Sequence, residues 1–237
     1  MMLKYEKIAL LIEESIVENN LNHGSRLPNF KELIETYHVS KSTIVKALDL
    51  LEKRGIIYQI QGSGVFVRRK KRKGYINFSE NQGFTADLGE FDITSKVLEL
   101  SEVIPPLEVR EHLSLDDKES VYYVKRIRYI NSQVLCIEES YYNKTIIPYL
   151  NVEIAEHSIF DYCKTALKLN ISFSDKYIHV IKLNKDESDL LELKEGDPGL
   201  LIDELFYLSS GEAFDFSKTI YHYVNSQFFL QSTKIYS

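Results

Sequence analysis

Val39-Ser40-Lys41-Ser42-Thr43-Ile44-Val45-Lys46-Ala47-Leu48-Asp49-Leu50-Leu51, followed by Gln61-Gly62-Ser63-Gly64-Val65-Phe66-Val67, decides the fold of the first part of this chain. Ser40 is a natural helix N-cap, and Ile44, Ala47, Leu48 and Leu51 recur at the spacing of one apolar helix face. Arg54-Gly55 closes that helix. Beyond it, Ile56-Ile57-Tyr58-Gln59-Ile60 and Val65-Phe66-Val67-Arg68 read as two short strands, with Gln61-Gly62-Ser63-Gly64 as the turn between them. Upstream, Asn29 and Glu32 stand in capping-box register, so a short helix is predicted from about 30 to 37, with Tyr37-His38-Val39 as the turn to the next one. Asn22-His23-Gly24-Ser25 breaks an earlier helix whose apolar face is Ile8, Leu11, Ile12 and Ile16. Three helices, the last two joined by a tight turn, and a glycine hairpin make a winged helix-turn-helix.

Charge divides the chain at the same place. Residues 1–73 hold 14 Lys/Arg against 8 Asp/Glu, a net of +6, while residues 74–237 hold 15 against 27, a net of −12. A basic first third on an acidic body suits a small part that meets a polyanion. Arg68-Arg69-Lys70-Lys71-Arg72-Lys73 cannot fold on itself; it is a solvated linker that also offers phosphate contacts.

The 237 residues suffice for two domains, and 44% hydrophobic with 27% charged residues is ordinary globular composition. No apolar run is long enough to span a membrane, and the charge-interrupted N-terminus is not a secretion signal. Two cysteines, Cys136 and Cys163, make neither a disulfide framework nor a zinc site, which fits a reducing cytoplasm. The histidines show no metal-ligand spacing, and no cofactor motif stands out. Beyond residue 83, strand-like stretches at 93–104, 121–130, 133–142, 175–183, 200–208 and 213–223 alternate with helical candidates at 84–90, 106–112, 144–150, 158–168 and 186–191, an α+β pattern with antiparallel strands.

Leu27-Pro28, Val39-Ser40-Lys41-Ser42-Thr43, Ala47-Leu48, Leu51-Glu52, Gly55-Ile56-Ile57 and the glycine wing together resemble the DNA-binding domain of the GntR family of bacterial transcription regulators, over nearly all of residues 5–67. In a helix-turn-helix the second helix enters the major groove N-terminus first. Ser40, Lys41, Ser42 and Thr43 are then the expected readers of base edges and phosphates, with Lys31 and Lys46 adding charge on flanking faces. Gln61, Gly62 and Gly64 let the wing backbone approach the minor groove. The chain departs from the family pattern where Val45 and Lys31 replace arginines, Asn29-Phe30 replaces a small polar and acidic pair, and Ser63 replaces a basic wing residue. The loss of a guanine-reading arginine at Val45 implies an unusual operator, and a valine there suits a thymine methyl.

Four later segments resemble the UTRA effector-binding domain of the HutC subfamily, a chorismate-lyase-like fold: Gly83-Phe84-Thr85-Ala86-Asp87-Leu88; Arg126-Ile127-Arg128 with Glu138-Glu139-Ser140-Tyr141; Ser158-Ile159-Phe160; and Ala213-Phe214-Asp215-Phe216-Ser217 running to Tyr221. The resemblance implies a small anionic effector, often a sugar phosphate, and dimerisation through this domain. Arg126 and Arg128 lie on one strand face, and a three-residue loop Asn131-Ser132-Gln133 would set Arg126 opposite Glu138. The two guanidiniums, the helix start at Phe84 and Thr85, and the Ser158 hydroxyl are the expected phosphate cradle. Glu138 and Asp215 are the expected hydroxyl acceptors, and Tyr221 a stacking or hydrogen-bonding neighbour. Phe160 and Asp215 stand where Tyr and Glu are frequent, which points to an altered ligand. The other reading of Arg-x-Arg opposite Glu is an exposed ion-pair ladder.

The expected architecture is α+β: a winged helix-turn-helix over 1–68, a basic linker over 69–82, and a UTRA effector-binding and dimerisation domain over 83–237. The expected function is a cytoplasmic, homodimeric, ligand-responsive repressor of operator DNA, with no cofactor and no membrane partner. The rival is an enzyme of chorismate-lyase-like fold on a nucleic-acid tether, which would need a general acid or base beside its ligand.

Overall fold

The computed structural model describes residues 3–68, 74–78 and 91–230. The chain divides into two compact units, one made of the residues up to the basic run and one from Gly74 to Phe229.

The first unit contains helices α1 (Lys4–Glu18), α2 (Phe30–Tyr37) and α3 (Lys41–Lys53), then strands β1 (Ile57–Ile60) and β2 (Gly64–Val67). The Asn29 side chain accepts from the backbone of Lys31 and Glu32, and Glu32 closes the capping box onto the Asn29 N–H at 2.7 Å. His38 takes the left-handed conformation (φ +51°) that turns the chain from α2 into α3, and Ser40 caps α3. Ile44, Ala47, Leu48 and Leu51 of α3 are fully buried against Ile8, Ile12 and Ile16 of α1. Leu11, read as part of that apolar face, is exposed, and Ala9 takes its place in the core. Ile8, Ile12 and Ile16 are four residues apart, so each step turns the core stripe by about 40° toward Ala9 and away from Leu11.

The hairpin is fixed to α3 by Glu52, whose carboxylate accepts from the Gln59 backbone N–H at 3.1 Å and side-chain amide at 2.9 Å. Segment 25–27 runs along β2, with Leu27 N–H donating to the Val65 carbonyl and Val67 N–H to the Ser25 carbonyl, both at 2.8 Å.

The second unit is a six-stranded antiparallel sheet in the order β4-β5-β6-β9-β8-β7, from β4 (Ile93–Val103), β5 (Val121–Ile130), β6 (Gln133–Asn143), β7 (Ile171–Lys182), β8 (Pro198–Leu208) and β9 (Ala213–His222). Helices α4 (Leu107–Leu113) and α7 (Lys185–Leu190) bring Val109, Leu113 and Leu190 to one face. Helices α5 (Val152–Glu156) and α6 (Ile159–Thr165) cover one end of the other face with Ala155, Ile159 and Cys163. The opposite end of that face lies under β3 (Ile76–Asn77) and β10 (Phe228–Phe229), a short parallel pair that packs Ile76 and Phe228 near Tyr221. Ile76 and Asn77 fall inside the stretch expected to be linker, and the apolar Ile76 side chain is what brings them onto the sheet.

Two expectations about this unit need correction. Residues 144–150 are turn and irregular chain rather than helix, because Asn143 caps a single turn and Pro148 interrupts its continuation. The β5–β6 loop has two residues, not three. Asn131 (φ +48°) and Ser132 (φ +67°) both take the left-handed conformation of a tight hairpin turn. A bulge near Leu135 then restores the pairing of Arg126 with Glu138. The helical candidate at 84–90 and the basic residues 69–73 lie outside the described residues.

Ser132 bears a left-handed strain that glycine does not. Ser132→Gly is therefore expected to keep the register and stabilise the second unit by about 1 kcal/mol, roughly 2–4 °C in Tm. Thermal unfolding followed by circular dichroism measures it, and an unchanged or lowered Tm would contradict the turn geometry.

Candidate functional site

The first group of expected site residues lies on one unit. Ser40 Oγ accepts from the Thr43 backbone N–H at 3.3 Å and sits 2.9 Å from both Ser42 Oγ and Thr43 Oγ1, so the hydroxyls at the start of α3 form one linked cluster. Lys41, Ser42, Val45 and Lys46 are exposed along the same helix. Lys31 is exposed on α2, with Glu35 4.0 Å away. On the wing, Gln61 is exposed and Gly62 (φ +78°) opens to free space. Gly64 (φ +127°) lies beneath Arg26, since a Cβ there would come within 2.9 Å of the guanidinium Nε. Arg26 is exposed and adds a cation to the base of the wing. Sequence reasoning missed it because its role comes from the pairing of 25–27 with β2. The described groups thus make a surface of hydroxyls, lysines, one arginine and open backbone, suited to a phosphate backbone.

The second group converges on one face of the sheet, between the apolar cluster under α5 and α6 and the one under β3 and β10. Arg126 and Arg128 of β5 point to the same side and share one carboxylate: Arg126 Nη2 to Glu138 Oε1 and Arg128 Nε to Glu138 Oε2, each 2.6 Å. Arg126 also donates to the Ala155 carbonyl at 2.7 Å, which ties α5 to the sheet. Ser140 donates to Glu138 at 3.1 Å. Arg126 and Glu138 are buried, so these contacts are not an exposed ion-pair ladder. Burial would raise Glu138, but the guanidiniums of Arg126 and Arg128 overcome it and hold the carboxyl well below its usual range.

Register continues the polar row across the sheet, since Glu138 faces Thr219, Ser140 faces Ser217, Ser217 faces Glu204 and Glu204 faces Lys176. Lys176 Nζ reaches Glu204 Oε1 at 2.7 Å, and Ser174 donates to the same oxygen at 2.7 Å. Burial, opposed by Lys176, leaves Glu204 raised. Lys176, Glu204, Ser174 and Ser217 escaped sequence reasoning because each looks like an ordinary alternating polar position on its own strand. A count of charges on the inward parity of β7 and β8 would have found the pair.

Asp215 is the outlier of the row. It is buried, and its Oδ1 has no hydrogen-bond partner among the described residues; the buried Nε of Arg126 has none either. Burial first, then the Glu138 and Glu204 carboxylates, push Asp215 well above the normal range. Ser158 caps α6 by accepting from Asp161 N–H at 3.1 Å, so one lone-pair direction of its hydroxyl is committed to the helix. Phe160 packs edge-on against Phe206 at 4.8 Å, and Tyr221 edge-on against Phe228 at 4.8 Å. Phe84 and Thr85 lie outside the described residues. Among the described residues no cluster of His, Cys, Asp and Glu has the geometry of a metal site, and no helix is long and apolar enough to cross a membrane.

Residues 4–67 match the model described as bacterial regulatory proteins, gntR family, and residues 90–224 match the UTRA domain. The chain is 51% identical to the uncharacterized HTH-type transcriptional regulator YydK of Bacillus subtilis over 98% of both chains. The crystal structure of YydK superposes with a TM-score of 0.88, covering 98% of this chain and all of that one, at 50% identity. GmuR of Bacillus subtilis, an HTH-type transcriptional regulator, is 29% identical over 90% of this chain and 92% of its own. The mannosyl-D-glycerate transport/metabolism system repressor MngR of Escherichia coli is 28% identical over 92% of this chain and 91% of its own.

The raised Asp215 carboxyl makes stability depend on pH in a definite direction. Its proton is held in the folded chain where the unfolded chain has released it, so the residue costs stability as pH rises above about 4, the ordinary carboxylate value. Asp215→Asn is expected to raise unfolding stability at pH 7 by about 1–3 kcal/mol, with the gain shrinking as pH falls toward 4. Thermal melts of both proteins between pH 4 and 8 test this, and a variant less stable than wild type at pH 7 would refute it.

Proposed function

The chain belongs to the gntR family of bacterial regulatory proteins and joins its helix-turn-helix domain to a UTRA domain, and from that premise we propose that it is a cytoplasmic, homodimeric repressor that leaves its operator when a small anionic metabolite such as a sugar phosphate binds. It is a transcriptional regulator and not an enzyme, as its relatives are. The repressor reading leans on MngR, named as the repressor of a system for a sugar derivative.

The observation that carries the effector reading is the buried row on the sheet. The Arg126 and Arg128 guanidiniums meet at one carboxylate, and among the described residues the buried Arg126 Nε and, beside it, a buried Asp215 oxygen are still unsatisfied. A ligand with an anionic group and hydroxyls answers both needs: the anion sits against the guanidiniums, and a hydroxyl donates to Asp215. Glu138 stays with the arginines and orients them; hydroxyl recognition falls to Asp215 and to Ser140, Ser217 and Thr219. Residues Phe84, Thr85, Ser158, Phe160 and Tyr221 complete the proposed effector set. On the DNA side the proposed set is Lys31, Ser40, Lys41, Ser42, Thr43, Lys46, Gln61, Gly62 and Gly64. Release follows if effector and operator favour different arrangements of the same dimer, with a coupling of about 1–3 kcal/mol.

Arg126→Ala would take from Glu138 its fully buried guanidinium partner and from α5 the bond to the Ala155 carbonyl, at a cost of about 3–5 kcal/mol, so a test through Arg126 confounds folding with binding. Arg128→Gln, at the edge of the site, is the cleaner variant. Wild type is expected to be stabilised by one member of a panel of hexose phosphates and to release operator DNA in its presence. Arg128→Gln is expected to keep operator affinity and to need at least ten times more of that compound. Gel-shift titrations decide it, and release at an unchanged concentration would remove Arg128 from the site.

Lys41→Ala should lower operator affinity and reduce the slope of log affinity against log salt by about one unit, as the loss of one phosphate contact does. Fluorescence anisotropy across a salt series measures it; an unchanged slope would exclude Lys41 from the DNA backbone.

A further inference from the structure

The polar row does not end at the arginines. It crosses the sheet from β5 to β7 as a band, with Phe206 and Phe214 of the cluster under α5 and α6 on one side and Leu200 and Ile202 near β3 and β10 on the other. At its far end three polar groups close on one another. Lys176 Nζ lies 2.7 Å from Glu204 Oε1 and donates to Ser174 Oγ at 3.1 Å, and Ser174 donates to Glu204 at 2.7 Å. The Lys176 and Glu204 side chains are only 16% and 15% exposed, whereas Asp175 and Tyr177 beside them on β7 are exposed. An ion pair so enclosed loses hydration that its own attraction does not restore, and burial holds the Glu204 carboxyl above its usual range even beside Lys176. Apolar residues of similar volume commonly replace such a pair without loss of stability, so packing alone does not account for it.

We propose that Ser174, Lys176 and Glu204 form a second sugar subsite, and that the effector is a phosphorylated disaccharide lying along the band with its phosphate at Arg126 and Arg128. The inference rests on the effector reading above and narrows it from a sugar phosphate to one with two rings. Charge sets the direction. At the Lys176 end an anionic group would meet the Glu204 carboxylate and a cationic group the Lys176 ammonium, so the occupant there is neutral. A vicinal diol fits both partners, one hydroxyl accepting from Lys176 Nζ and the next donating to Glu204. Length sets the number of rings. Glu138 on β6 and Glu204 on β8 are two strands and two residues apart in register, about 12 Å at ~4.8 Å per strand and ~3.3 Å per residue. A six-membered ring of ~1.5 Å bonds is roughly 5 Å across with its oxygens, so one phosphorylated ring ends near the middle of the band and a second covers the rest. The middle is where Asp215 lies, two residues along β9 from Ser217 on the same face, and its unsatisfied buried Oδ1 accepts from a hydroxyl of the first ring.

Isothermal titration calorimetry on the full chain tests this with a paired panel: glucose, galactose and mannose 6-phosphates, each beside disaccharide 6′-phosphates whose phosphorylated ring is the same sugar. The tightest ligand of wild type is expected to be a disaccharide phosphate, bound at least ten times more tightly than its single-ring counterpart. Glu204→Gln, which keeps the shape and removes the charge, is expected to erase that gain while changing the single-ring affinity less than twofold; the retained single-ring binding shows that the variant is folded. Ser174→Ala, which removes one hydroxyl at the end of the band, is expected to weaken the two-ring ligand alone, by about threefold. If a single-ring phosphate binds wild type as tightly as its disaccharides do, or if Glu204→Gln and Ser174→Ala weaken both kinds of ligand equally, the second subsite is overturned and the phosphate site at the arginines stands. Failure of every phosphorylated sugar in the panel to bind wild type would overturn both.

Discussion

Glu138 is the charge around which the second unit is organised. A carboxylate buried in a sheet is tolerable only when its lone pairs are filled, and here two guanidiniums and a serine hydroxyl fill them. That requirement sets the relative placement of β5 and β6, because Arg126 must stand opposite Glu138 for both bonds to form. It also anchors a helix: Arg126 spends a further donor on the Ala155 carbonyl at the end of α5. One ion pair therefore joins two strands and the helical layer above them.

The same interaction explains why the site is polar but not fully satisfied. A purely structural ion pair would be expected to use up its buried donors and acceptors. Here Arg126 Nε and Asp215 Oδ1 remain without partners among the described residues, and the three carboxylates Glu138, Glu204 and Asp215 raise one another's cost. The second unit thus carries an energetic deficit on one face, the kind of deficit that the proposed effector would relieve. This fits a sensor, whose binding energy must be large enough to change the arrangement of the molecule. Among the described residues of the first unit no comparable deficit is seen. Its polar groups at the start of α3 are exposed and already bonded to each other, as suits a surface that exchanges water for phosphate.

Much of the fold was legible in the sequence. The capping box Asn29/Glu32, the Ser40 cap and the apolar spacing of α3 are local signals, and local hydrogen bonding enforces them whatever the rest of the chain does. Strand alternation likewise located the six long strands to within a few residues. The failures have a common cause. Leu11 was misplaced because which side of α1 is buried depends on what α3 and the hairpin present to it. The turn at Asn131-Ser132 is one residue shorter than its local sequence suggests because a bulge at Leu135, downstream of it and revealed only by the neighbouring strand, makes up the difference.

For the site, sequence by itself determined the two arginines, their shared face and their glutamate partner, since period-two alternation and a hairpin are sufficient to bring those three together. It could not reveal that the group is buried, because burial comes from α5, α6 and the β3–β10 patch closing over that face from distant parts of the chain. Nor could it join Lys176 and Glu204 to the row, or place Arg26 over Gly64. Those contacts join residues 28 and 38 positions apart, and nothing in the local sequence of either partner encodes the pairing of their strands. Only the tertiary structure decided which polar positions share an interior face, because strand order is set by the packing of the whole sheet.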